Sequence, residues 1–85
     1  MECIVNRKGR KVTEKYIREQ LARARRIHPE FPENPAEALC IISEELGELA
    51  QAINDTESKE RLKEEASHVA VTAIRFIEEL EKWRG

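Results

Sequence analysis

The sequence predicts an all-α protein: an antiparallel bundle of about three helices per chain, completed by homo-oligomerisation. Three observations point there. Apolar residues recur at spacings of three and four over most of the chain after residue 12. The segments carrying that period are joined by short turn-forming stretches, which favours side-by-side helices of opposite direction. With 85 residues, a lone three-helix core buries a limited share of its surface, so a second copy is the expected remedy.

Residues 1–12 are the least helical in pattern. Cys3-Ile4-Val5 and Lys11-Val12 flank Asn6-Arg7-Lys8-Gly9-Arg10, which reads as a short hairpin or a loose arm with a basic tip. Residues 13–85 then read as a single helical domain. Thr13 is placed to cap a first helix running to about Ile27, with Ile17, Leu21, Ala24 and Ile27 as its buried stripe and Tyr16 beside it. Pro29, Pro32 and Pro35 forbid a regular helix through the next segment. That segment closes with a strong start signal: Asn34 as cap, Pro35 at the first helical position and Glu37 three residues after the cap.

The second helix carries Leu39, Ile42, Leu46, Leu49 and Ile53 on one stripe and fades near Asn54-Asp55. Asp55, Thr56 and Ser58 are each able to cap the third helix, expected from about Glu57 to Trp83. Its core stripe is Leu62, Ala66, Val69, Ala73, Phe76, Ile77 and Leu80. Tyr16, Phe31 and Trp83 have two readings, core packing or an interface first and stacking on a nucleobase second.

The charge balance is close to even, 15 basic against 17 acidic residues. No DNA or RNA duplex is expected as a partner, because such binders are distinctly basic. No apolar run approaches the ~20 residues of a membrane span, so no membrane is expected either. Nothing resembling a signal peptide opens the sequence. Cys3 and Cys40 lack metal-like spacing, so reduced thiols and a cytoplasmic location are expected.

The anomaly lies on the flank of the second helix, where Glu45 and Glu48 fall among aliphatic residues. Carboxylates there are costly unless a cation meets them, whether a metal ion, an Arg or a Lys. Side chains three apart on a helix share a face. With the second and third helices side by side, Glu45-x-x-Glu48 would meet Glu65-x-x-His68, giving four ligands for one ion. Glu44 stands one turn behind Glu48.

Glu44-Glu45-Leu46-Gly47-Glu48, a gap of sixteen residues, then Glu65-Ala66-Ser67-His68, resembles the EExxE…ExxD signature of the MazG-like all-α nucleoside triphosphate pyrophosphohydrolases. The resemblance covers roughly residues 35–80. It implies a helical bundle assembling into dimers or tetramers, and hydrolysis of a nucleoside triphosphate to the monophosphate and pyrophosphate with Mg²⁺. It implies Glu45, Glu48 and Glu65 as metal ligands, with Glu44 as a further ligand or the base that orients water. Lys59, Arg61, Lys63 and Arg75 on the third helix are candidates for binding the substrate phosphates, Arg75 and Lys63 foremost.

His68 departs from that signature, which has Asp at this position. Mg²⁺ prefers oxygen ligands, whereas imidazole suits Mn²⁺ and other divalent ions of the first transition row better. Three roles stay open for His68: ligand to a softer metal, hydrogen-bond partner of a phosphate or of Glu65, or mark of a site that has lost catalysis. Beside the enzyme stand two alternatives, a catalytically impaired module that binds nucleotide or metal, and a helical interaction protein with structural Glu pairs.

Overall fold

The computed structural model describes residues 7–83, and among these the chain is three α-helices with no strand. Helix α1 spans Arg7–Ile27, α2 spans Pro35–Asn54 and α3 spans Lys59–Leu80. The first boundary corrects the sequence reading. Thr13 lies inside α1 and does not cap it, and residues 7–12 are helical, not an arm or hairpin. Arg and Lys are good helix formers, and several of them in a row outweigh the single Gly9. The remainder of the expected arm, residues 1–6, lies outside the described residues.

The start of α2 is as the sequence requires. Asn34 is extended (φ −78°, ψ 124°), and its Oδ1 accepts hydrogen bonds from the backbone N–H groups of Ala36 (2.8 Å) and Glu37 (3.4 Å). At its other end α2 closes in a Schellman pattern: Glu57 N–H donates to Ala52 O (3.0 Å) and Thr56 N–H to Ile53 O (3.1 Å). Thr56 takes the left-handed position at φ 51°, where a β-branched residue costs roughly 1–2 kcal/mol over glycine. Of the three possible caps for α3, Ser58 serves; its Oγ accepts from Arg61 N–H at 3.1 Å. This tight turn fixes how α3 starts against the end of α2.

Helix α3 is the centre of the molecule. It packs along α2 and, less extensively, against α1, while α1 and α2 make no comparable contact. Lys63 Nζ sits 4.2 Å from the centroid of the Tyr16 ring, and Arg25 pairs with Glu78, both joining α1 to α3. Arg75 is buried; it donates to His28 O at 2.7 Å and lies over the Phe31 ring, 5.1 Å from its centroid. The guanidinium thus holds the proline-rich loop onto α3.

The core is not where the strongest apolar stripes predict it. The buried apolar residues are Ala38, Ala52 and Val71, and they are joined by Glu65, Ser67 and Arg75. Leu39, Leu46 and Ile53 of α2 remain more than half exposed, as does Ile77 of α3, and Leu80 and Ala66 are exposed too. Ile27, expected in the stripe of α1, is also exposed, because the chain leaves the helix there for the loop. Within one chain, α2 and α3 meet through the neighbouring flank of small and acidic residues. The accessible surface of 6989 Å² exceeds the value of about 5,200 Å² that surface scaling gives for a compact monomer of this mass. No described helix is long and apolar enough to cross a membrane.

Candidate metal centre

The flank that α2 turns toward α3 carries Ala38, Glu45 and Ala52, one every second turn, with Glu48 beside them. The alanines let the two helices approach closely, and Glu45 sits half-buried between them. From α3, Glu65 and His68 stand one turn apart on the apposed face. One donor atom from each of Glu45, Glu48, Glu65 and His68 lies within 4.8 Å of every other, a spread that permits all four to reach a single ion. The structure therefore brings together the four residues expected as metal ligands.

Electrostatics sharpen the picture. Glu65 is the most deeply buried ionisable side chain among the described residues, 2% exposed, and its Oε2 has no hydrogen-bond partner. The same holds for Oε2 of Glu45. Each buried unpaired oxygen costs about 1–3 kcal/mol in an ion-free chain. The Nδ1 atom of His68 is 3.5 Å from Glu45 Oε2 and 3.8 Å from Glu65 Oε1, near both but beyond a good hydrogen bond. The carboxyl of Glu45 is held above the ordinary carboxylate range, chiefly by burial and then by the charge of Glu48, with Glu65 adding and His68 opposing. An arrangement that disfavours its own negative charge, and leaves two oxygens unpartnered, fits a cation. A Glu/His cluster of this kind can bind a metal ion; three carboxylates and one imidazole do not by themselves select which.

The cluster opens on two sides. On one lies a cavity of about 480 Å³ between α1, the proline-rich loop, α2 and α3, whose wall includes Phe31, Ile41, Glu44, Glu45, His68 and Arg75. On the other lies an open groove lined by Glu44, Gly47, Glu48, Asp55, Glu57 and Arg61. Glu44 is exposed and borders both. Of the expected phosphate-binding residues, Arg75 reaches the cavity wall, already engaged with His28 and Phe31, and Arg61 lines the groove, whereas Lys63 lies against Tyr16 and neither it nor Lys59 lines either space.

What sequence reasoning missed about Arg61, expected only as a candidate for the substrate phosphates, is its engagement with three carboxylates. Its Nη2 pairs with Glu65 Oε1 at 3.0 Å, its Nη1 with Glu64 Oε1 at 3.3 Å and its Nε with Glu57 Oε2 at 3.6 Å. The signal was present: the acids stand four before, three after and four after the Arg, the spacings at which helix side chains meet. Comparison with protein-family models, with curated proteins and with solved structures finds no match for this chain.

Proposed function

We propose that this chain is a metal-dependent nucleoside triphosphate pyrophosphohydrolase of the MazG-like kind. The observation that carries the reading is the four-residue donor cluster with its two buried, unpartnered carboxylate oxygens, set at the mouth of the 480 Å³ cavity. The resemblance of residues 44–48 and 65–68 to the EExxE…ExxD signature supports it independently of the geometry.

Glu45, Glu48, Glu65 and His68 would hold the metal, either Mg²⁺ or, with the imidazole as ligand, Mn²⁺ or another divalent ion. An ion held by these residues would supply positive charge to offset that of the substrate phosphate oxygens. Glu44 borders both openings and is the group assigned to orient the attacking water and take its proton. The water oxygen forms a bond to the α-phosphorus as the bond from that phosphorus to the α–β bridging oxygen breaks. The electron pair leaves on the bridging oxygen, giving nucleoside monophosphate and pyrophosphate. The cavity between the loop and the helices is the space assigned to the nucleoside, with Phe31 and Ile41 as apolar wall and Arg75 as its buried cation.

The functional unit in this reading is a homodimer or tetramer, built on antiparallel α2 and α3. Leu39, Ile42, Leu46, Leu49 and Ile53 alternate three and four apart along α2, the pattern of a helix-bundle seam. Three of the five are more than half exposed.

A second reading rests on His68, which stands beside Glu45 and Glu65 in the cation's own neighbourhood. There the same site binds metal or nucleotide without turnover, or serves a helical interaction module. Pyrophosphate release from each nucleoside triphosphate, measured in Mg²⁺ and separately in Mn²⁺, separates the two. Release that disappears in Glu45→Gln supports the enzyme; metal or nucleotide binding without release supports the module.

A further inference from the structure

We infer that Arg61 is a positioning residue for the metal site, holding one oxygen of Glu65 so that the other is presented to the ion. The inference rests on the metal reading above. The two oxygens of the Glu65 carboxylate are not equivalent: Oε1 is 3.0 Å from Arg61 Nη2, and Oε2 is buried without any hydrogen-bond partner. A carboxylate pinned through one oxygen by a planar guanidinium has little freedom to rotate, which fixes where its free oxygen points. The guanidinium is itself held, by Glu57 in the turn before α3 and by Glu64 within α3. Arg61 also reaches Glu65 from the solvent side, being about half exposed while Glu65 is 2% exposed. The donor cluster itself comprises Glu45, Glu48, Glu65 and His68.

The sign of the effect makes the inference testable. If Arg61 acted only through its charge, it would repel a dication, and removing it would tighten binding. If it acts by orienting Glu65, removing it weakens binding, by the 10–100-fold typical of partners behind metal ligands. Lys in its place keeps the charge but loses the fork, so the loss should be intermediate.

The experiment is a Mn²⁺ titration followed by electron paramagnetic resonance, with no nucleotide present. It uses the wild-type chain, Arg61→Gln and Arg61→Lys, each first shown to be helical by circular dichroism. The expected result is an affinity for Mn²⁺ lowered 10–100-fold in Arg61→Gln and less in Arg61→Lys. Should Arg61→Gln fail to fold, a several-fold loss in folded Arg61→Lys carries the same conclusion. Unchanged or tighter Mn²⁺ binding in a folded variant, with the wild type still binding, overturns the role of Arg61 alone. A wild-type chain that binds no Mn²⁺ overturns the metal reading and this inference with it.

Discussion

The Nδ1 atom of His68 lies 3.5 Å from Oε2 of Glu45, so an imidazole of α3 faces the one oxygen of a half-buried α2 carboxylate that has no hydrogen-bond partner. In the proposed metal site, His68 is the residue expected to set which ion the cluster prefers. A neutral nitrogen donor in a site for a dication lowers the negative charge by one relative to a carboxylate, and favours Mn²⁺ over Mg²⁺. In His68→Asp, Mg²⁺ affinity should rise by about tenfold or more, the scale on which ligands and their partners tune such sites. Titration calorimetry with both ions checks this; a variant whose preference between Mg²⁺ and Mn²⁺ is unchanged would remove His68 from the ligand set.

The raised carboxyl of Glu45 predicts a pH dependence. Its folded-state pKa lies above the unfolded value, so between the two the folded chain binds the proton more readily. Its contribution to stability is therefore most favourable at low pH, falls as pH rises through that window, and is a full penalty above the raised value. Without metal, Glu45→Gln should be more stable than the wild type at neutral pH. The gap should close as pH is lowered toward the ordinary carboxylate range. Thermal unfolding of the two proteins across pH 4–8, roughly the range that brackets carboxylate and histidine titration, checks the sign.

Gly47 is costly where it stands. In mid-helix glycine is about 1 kcal/mol worse than alanine, and a Cβ built at position 47 meets no atom within 4 Å. Nothing among the described residues demands it, and it lines the groove beside Glu44 and Glu48. Gly47→Ala should therefore stabilise the metal-free chain by up to ~1 kcal/mol in urea unfolding, while weakening nucleotide binding if a phosphate approaches the backbone there. Loss of stability instead would place a neighbouring copy against this turn.

The exposed seam of α2 predicts the state of assembly. Leu46 sits at its middle, 55% exposed. Leu46→Glu buries a charge only if another chain covers that position, so it should shift sedimentation from dimer or tetramer toward monomer while leaving helical content unchanged. A wild-type chain that sediments as a monomer at micromolar concentration contradicts the assembly proposed here.

Helices and caps were legible because their signals are local. Asn34-Pro35 with Glu37, and the three-and-four spacing along α2, act within one or two turns, and the structure follows them. The start of α1 was misread because Gly9 is a weak local break and the run of Lys and Arg around it propagates helix. The core was misread for a different reason. Periodicity finds the most apolar stripe of a helix but not whether the other helices of the same chain pack on it. Leu39, Leu46 and Ile53 make that stripe, yet α3 packs on Ala38, Glu45 and Ala52. The cluster of Glu45, Glu48, Glu65 and His68 was legible because two pairs of spacing three sit on helices joined by a short turn. The engagement of Arg75 with His28 O and Phe31 spans 44 residues or more of sequence, and no spacing rule reports it.

The central claim is that acids from α2 and α3 hold one divalent ion between them. Mn²⁺ titration of the wild-type chain beside Glu65→Gln tests it most directly, since Glu65 supplies the buried oxygen from α3 and Glu45 its counterpart from α2. The account predicts one tight Mn²⁺ per cluster in the wild type and at least a tenfold loss in Glu65→Gln, of the order expected when a metal site is disrupted. Equal binding by both proteins, or none by either, would contradict it.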